Sequence, residues 1–149
     1  MANSIQQAKI ASTPAQKVKT NELTGRVRVA FAEYEASAEQ STIHMFSLPN
    51  GARILGGRLA HDALGSSTTL SVGHAAYIDS SGSTVALDVD EFKAAASSAS
   101  ASSVAVAQTI ALGENSVVNA DKDGLPVTVT IAGADGTNTI QLQMTYVVD

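Results

Sequence analysis

Residues Leu48–Tyr77, LPNGARILGGRLAHDALGSSTTLSVGHAAY, decide how the rest of the chain is read. Two apolar runs, Ala52–His61 and Thr68–His74, are each bounded by turn formers and read as β-strands. Pro49-Asn50-Gly51 feeds the first, and the short turn Asp62–Ser66 joins it to the second, which predicts a hairpin. Gly56-Gly57 weakens a strand interior, so it predicts a bulge or a close approach of two backbones. In the second run Leu70 and Val72 alternate with Ser71.

Towards the N-terminus the same period of two continues. Thr42–Leu48 is a strand ending at the Pro-Asn-Gly turn, and Ala36–Gln40 reads as the loop before it. In Leu23–Ala36, Val27, Val29 and Phe31 share one face and Arg26, Arg28 and Ala30 the other, which predicts a half-buried strand with the apolar row inside. Residues 1–22 show no sustained period and carry Pro14. Ile5, Ala8 and Ile10 support one short helical turn at most. Two readings stay open for this segment: a disordered tail, or an extended arm that orders on a partner.

Towards the C-terminus, Asp79-Ser-Ser-Gly82 is a turn and Thr84–Leu87 a short strand. Val89–Ala96 is the one helix-like piece, with Asp88 or Asp90 as N-cap and Phe92, Ala95 and Ala96 inward; the Ser/Ala run Ala94–Ser103 reads as an exposed loop. Val104, Val106, Gln108, Ile110 and Leu112 share one parity. Val127, Val129 and Ile131 alternate with threonines. After the turn Ala134–Thr137, residues Ile140, Leu142, Met144, Tyr146 and Val148 alternate with Thr and Gln, so the last two strands also read as a hairpin. Seven or eight short strands without strand–helix alternation predict an all-β, antiparallel sandwich or barrel. The expected division is an arm over 1–22 and a sandwich over 23–149.

Composition narrows the function. With 149 residues the chain suits one domain, and with aromatics at only 4% it lacks the walls of a deep ligand pocket. There is no cysteine, hence neither disulfide nor thiolate chemistry, which fits assembly in a reducing cytoplasm. No apolar run is long enough for a membrane span, and no apolar core of a signal peptide is present. The net charge of −5 disfavours nucleic acid as the main partner. It is unevenly spread: residues 1–28 carry five basic side chains against Glu22, a net of +4, and the remainder four basic against thirteen acidic, a net of −9.

The search for chemistry returns little. His44, His61 and His74 sit on predicted strands or strand ends; His44 and His61 could meet across a sheet with Asp62 beside them, a conceivable metal site, but no spacing brings three or four ligands together. Asp88 and Asp90 share a face if extended, and capping is the simpler role. Asp121-Lys-Asp123-Gly124 begins like a calcium loop but lacks the closing glutamate, so a turn is preferred. There is no nucleophile elbow and no phosphate loop. No catalytic, cofactor or metal residue is assigned, and an enzyme is not expected. A sugar-binding fibre or spike module is the alternative; it needs exposed aromatics, and most of Phe31, Tyr34, Phe46, Tyr77, Phe92 and Tyr146 are expected in strand interiors.

The Leu-Pro-x-Gly-Ala-Arg entry at Leu48, the Ala-Leu-Gly-x-Ser-Thr-Thr-Leu stretch at Ala63 and the Phe-x-x-Ala-Ala run at Phe92 resemble a group of small tailed-phage structural proteins, the capsid decoration or cement proteins. The pattern covers about a third of the chain and is built of structural residues. The resemblance implies a jelly-roll-like sandwich that sits on the outer face of the head in the virion, ties major capsid proteins together, clusters as a homotrimer (a dimer being the alternative) and needs no cofactor. The arm lies outside the pattern. Its role as a capsid anchor, through Ile5, Ile10 and Val18 for apolar contact and Lys9, Lys17 and Lys19 for charge, is inferred from the +4 segment preceding an acidic body.

Overall fold

In the computed structural model, which describes residues 4–18 and 24–148, ten strands, one helix and one 3-10 turn follow one another along the chain. The strands are β1 (Val27–Glu39), β2 (Thr42–Leu48), β3 (Arg53–His61), β4 (Thr69–His74), β5 (Tyr77–Ile78), β6 (Thr84–Val85), β7 (Asp88–Ser97), β8 (Ser102–Val106), β9 (Leu125–Ala132) and β10 (Gly136–Val147). Helix α1 spans Ile5–Ala11, and the 3-10 turn Ile110–Leu112.

Two four-stranded antiparallel sheets face each other. One has the order β1-β10-β3-β8 and the other β2-β9-β4-β7, while β5 and β6 form a small separate ribbon. Setting the ribbon aside, the eight strands in chain order fall as 1-8-3-6 and 2-7-4-5. This is the double Greek-key pattern of a jelly roll. Between the sheets lie Leu48, Ile54, Leu59, Leu70, Val72, Phe92, Val127, Val129, Ile131, Ile140, Leu142 and Met144, all essentially removed from water.

Both predicted hairpins are corrected by this topology. The strands at 53–61 and 69–74 belong to opposite sheets, as do β9 and β10, so Asp62–Thr68 and Gly133–Asp135 are corners where the chain changes sheet. Period-two alternation reports that one face of a strand is buried; it does not report the pairing partner. Gly56-Gly57 behaves as expected. The register of β3 against β10 shifts between Thr145 and Tyr146, leaving Leu55 as the extra residue, and Gly56 adopts φ +129° beside it. Gly57 is the close approach: a Cβ there would lie 2.5 Å from the Gln143 carbonyl oxygen.

Three further expectations change. Val89–Ala96 is not helical; it lies within β7, the partner that the edge of β4 requires, and its helix-forming alanines are overridden by that pairing. The mismatch surfaces as two register shifts against β4, with Phe92 still seated in the core. Ala36–Gln40 is no loop up to Glu39, because β1 runs on to that residue through a bulge at Ser37/Glu39. The parity run after Val106 is broken: Ala107 takes φ +51° and the chain turns into the Ile110–Leu112 3-10 turn.

Candidate interaction surface

The polar groups singled out in the sequence as conceivable ligands are dispersed. His44 lies on β2 and His61 on β3, in opposite sheets. His61 Nδ1–H donates to the Asp62 carbonyl at 2.8 Å, and His74 Nδ1–H to the Ala75 carbonyl at 3.0 Å with Tyr77 edge-on to its ring. His44 Nε2 meets the Ser47 hydroxyl at 3.2 Å. Asp88 accepts from the Asp90 N–H at 3.1 Å, which holds its carboxyl below the usual range; both residues lie in β7, so neither caps a helix. Asp121 accepts from the Asp123 N–H at 2.9 Å, and Gly124 closes the expected turn at φ +78°. Among the described residues no group of three His, Asp or Glu converges on a point.

What converges instead is a surface, the outer face of the β1-β10-β3-β8 sheet. Val27, Val29 and Phe31 project from β1 into solvent, 61%, 60% and 58% exposed. Their predicted inward placement is thereby reversed. Ala30 and Tyr34 pack on the core and Ala36 is buried, because β1 pairs alongside β10, whose Met144, Leu142 and Ile140 fill the inner face beside it and leave room for mostly small partners. The row is apolar and unbroken over three alternate positions.

Beside it runs a polar ladder. Gln141 Nε2 donates to Glu33 Oε2 at 2.6 Å and the Thr139 hydroxyl to Glu35 Oε2 at 2.7 Å, tying β10 to β1 across the face. Arg58 on β3 donates to the Ser103 hydroxyl on β8. Phe31, Arg58, Ala60, Ser103, Gln141 and Gln143 line a shallow depression of about 300 Å³. At the far end of β1, the Tyr34 hydroxyl donates to Glu39 Oε1 at 2.6 Å; this bond lowers the Glu39 carboxyl and raises the Tyr34 phenol relative to their usual values. Of the six aromatics, Phe31 alone is exposed, so the face offers no multi-ring platform for a sugar.

The arm is not extended throughout. Residues 5–11 form two turns of helix, longer than the single turn expected, capped by the Ser4 hydroxyl accepting from the Gln7 N–H at 3.3 Å. The chain then folds back so that Gln16 N–H reaches the Lys9 carbonyl at 2.9 Å. Ile5 is 72% and Ile10 45% exposed, and five positions apart they lie about 140° round the helix, so they form no single stripe. Lys17 is exposed, Lys9 and Val18 half-buried. Lys19 lies outside the described residues.

No protein-family model and no curated protein sequence matches the chain. Solved structures do. A chain of the cyanophage Pam1 capsid asymmetric unit superposes with a TM-score of 0.60 at 19% identity, covering 93% of this chain and 96% of that one. A chain of the Ralstonia phage GP4 capsid gives 0.61 at 21% identity, covering 84% and 86%. A chain of the capsid of Helicobacter pylori bacteriophage KHP30 gives 0.53 at 18% identity, covering 82% and 87%. All three neighbours come from phage capsids. At these identities the likeness is one of fold, and it extends nearly end to end.

Proposed function

We propose that this protein is a structural component of a phage head, a decoration protein that binds the outer surface of the major capsid lattice and ties neighbouring subunits together. The observation that carries this reading is the near-complete, mutual coverage with a chain from the Pam1 capsid, supported by two further phage capsids of the same fold. The motif resemblance around Leu48–Leu70 and Phe92 points the same way. The net charge of −7 over residues 23–149 repels packaged nucleic acid, which favours the outside of the shell over the inside. The virion is then its location, after assembly in the host cytoplasm. Catalysis and a cofactor play no part in such a role: a rigid sandwich with many repeated weak contacts suffices, since these add over a lattice by multivalency.

In this reading the partners are the major capsid protein and further copies of the chain, as a homotrimer in the resembling group. Residues 1–22 act as a separable anchor, with Ile5, Ile10 and Val18 in apolar contact and Lys9, Lys17 and Lys19 steering towards acidic capsid surface. None of the described arm residues is buried against the sandwich, which leaves the segment available to a partner.

The test is co-sedimentation of the purified full chain with expanded heads that lack it. Saturable binding with a fixed ratio to capsid subunits is expected. No binding to heads at any concentration overturns the proposal. Deleting residues 2–22 should leave a folded protein that binds far more weakly, and changing the three lysines to Glu should give a smaller loss that grows as salt is lowered, because like charges then repel unscreened. Equal binding by the truncated chain moves the interface to the sandwich.

A further inference from the structure

Side chains on the outer face of the β1-β10-β3-β8 sheet fall into rows across the strands. One row is Phe31, Gln143, Arg58 and Ala105, and the next is Glu33, Gln141, Ala60 and Ser103. Ala60 is short beside Gln141 and Arg58, so the surface dips there. The depression of about 300 Å³ between Phe31 and Ser103 meets a second, of about 360 Å³, at Ala60 and Gln141. Asp62, Ser102 and Thr139 help to line the second one. Together the two make a shallow trough along β10 and β3.

Internal bonds leave much of the trough's hydrogen-bonding capacity unused. Gln141 Nε2 gives one N–H to Glu33, which leaves the Gln141 side-chain oxygen, its second N–H and the other Glu33 oxygen. Arg58 gives its Nε–H to the Ser103 hydroxyl and keeps the N–H groups of both terminal nitrogens. The Gln143 amide makes no side-chain hydrogen bond among the described residues. Donors and acceptors are thus interleaved on planar groups, next to the exposed ring of Phe31.

This mixture discriminates between ligand classes. β10 and β3 are interior strands with both edges paired, so the floor has no free backbone groups to take an added peptide strand. An anion would meet Arg58 but also Glu33 and Glu35, which Gln141 and Thr139 hold on the same face. A hydroxyl donates and accepts at once, so neighbouring hydroxyls on a sugar match a side-chain amide or guanidinium edge. The C–H face of the sugar suits the negative face of an aromatic ring.

We infer that this trough binds a neutral oligosaccharide, with one hexose ring stacked on Phe31 and hydrogen-bonded by Arg58, Gln141 and Gln143, and the next ring over Ser102 and Thr139. A single aromatic seats one sugar ring, whereas a platform for several would need more. The site is shallow and open, so its affinity is weak, on the order of 1 mM. Copies repeated on a head would raise the avidity for a polysaccharide by roughly 10²–10⁴. The inference does not rest on the capsid reading, since every group it uses belongs to the sandwich of one chain.

Heteronuclear NMR of the isotope-labelled full chain, with no heads present, tests it apart from the capsid proposal. The probes are methyl glucoside, methyl galactoside, methyl mannoside, maltose and lactose, with glucuronate and inorganic phosphate as anionic controls. At least one neutral sugar should shift the Gln141 and Gln143 side-chain amides and the Phe31 ring signals saturably. Phe31→Ala removes the ring and Ala60→Gln fills the dip, and each should weaken binding at least about tenfold. Leu87→Ala, which trims a comparably exposed side chain outside the trough, should leave it unchanged. Melting temperatures establish that the variants fold, and should one unfold, the other decides. No shift from any of these sugars up to about 100 mM, equal binding by wild type and the folded variants, or a response to glucuronate or phosphate alone overturns the inference.

Discussion

Gly57→Ala isolates the tightest backbone approach in the β3–β10 pair. Two effects oppose each other. Replacing a strand glycine with alanine lowers the entropy of the unfolded chain and favours folding by roughly 0.5–1 kcal/mol. Against this, the new Cβ lies 2.5 Å from the Gln143 carbonyl oxygen and 2.9 Å from Met144 Cγ, where ordinary contact starts near 3.4 Å. Met144 can rotate away. The carbonyl cannot, because it belongs to the central strand, held by β1 on one side and β3 on the other. A shift of about 0.9 Å must be absorbed by two backbones, and overpacking of this kind costs about 1–3 kcal/mol. The steric effect wins, for a net loss of about 1–2 kcal/mol. In a domain of this size that lowers the melting temperature by roughly 3–8 °C. Urea denaturation at constant m-value, together with a thermal melt, measures it. A variant as stable as the wild type, or more so, refutes the claim that the backbone is fixed here. Gly82→Ala is the contrast: nothing lies within 4 Å of its Cβ, so only its φ of +89° resists the change, at about 1 kcal/mol.

Further outcomes follow from other residues. Leu142→Asp sets an unpaired carboxylate at a fully buried position and should leave the chain largely unfolded by circular dichroism at 25 °C. Deletion of residues 2–22 should leave the melting temperature unchanged within error, since no arm residue described is buried. Tyr34→Phe should raise the Glu39 carboxyl back towards its usual range, read by carbon NMR titration, because the Tyr34 hydroxyl is the main cause of its depression. The Asp79 carboxyl is also held low, first by the Ser81 hydroxyl and then by the Ser83 N–H. Its contribution is therefore full above its unfolded pKa and lost as pH falls through the lower folded one. The Ser81 and Ser83 amide resonances should shift in that acid range, and Asp79→Ala should abolish the transition.

Strand positions were largely legible in the sequence because burial on one face imprints period two, as in Ile140–Met144 and Val127–Ile131. Partnership was not. Thr139 and Gln141 look alike whether β10 pairs with β9 or lies between β1 and β3, and nothing in a short corner such as Gly133–Asp135 distinguishes a hairpin from a change of sheet. Which face of β1 is inward was misleading for a related reason: hydrophobicity pointed to Val27, Val29 and Phe31, while the volume left by Met144 and Leu142 admitted alanines. The candidate surface was thus hidden by the same residues that form it. At β7, helical propensity in Phe92–Ala96 yielded to the need of β4 for a partner.

The position of β10 between β1 and β3 also sets an order of events during synthesis. β10 follows the other nine described strands along the chain, both of its neighbours precede it, and β1 has no other partner in its sheet. Until residues 136–147 have left the ribosome, β1 waits unpaired more than a hundred residues upstream, with its apolar row and both edges open. A chain cut short before Gly136 therefore lacks half of its core wall and leaves β1 adhesive. Only a chain that includes β10 can present a closed sandwich, so products terminated before it should be cleared or aggregate before they compete for places in an assembly.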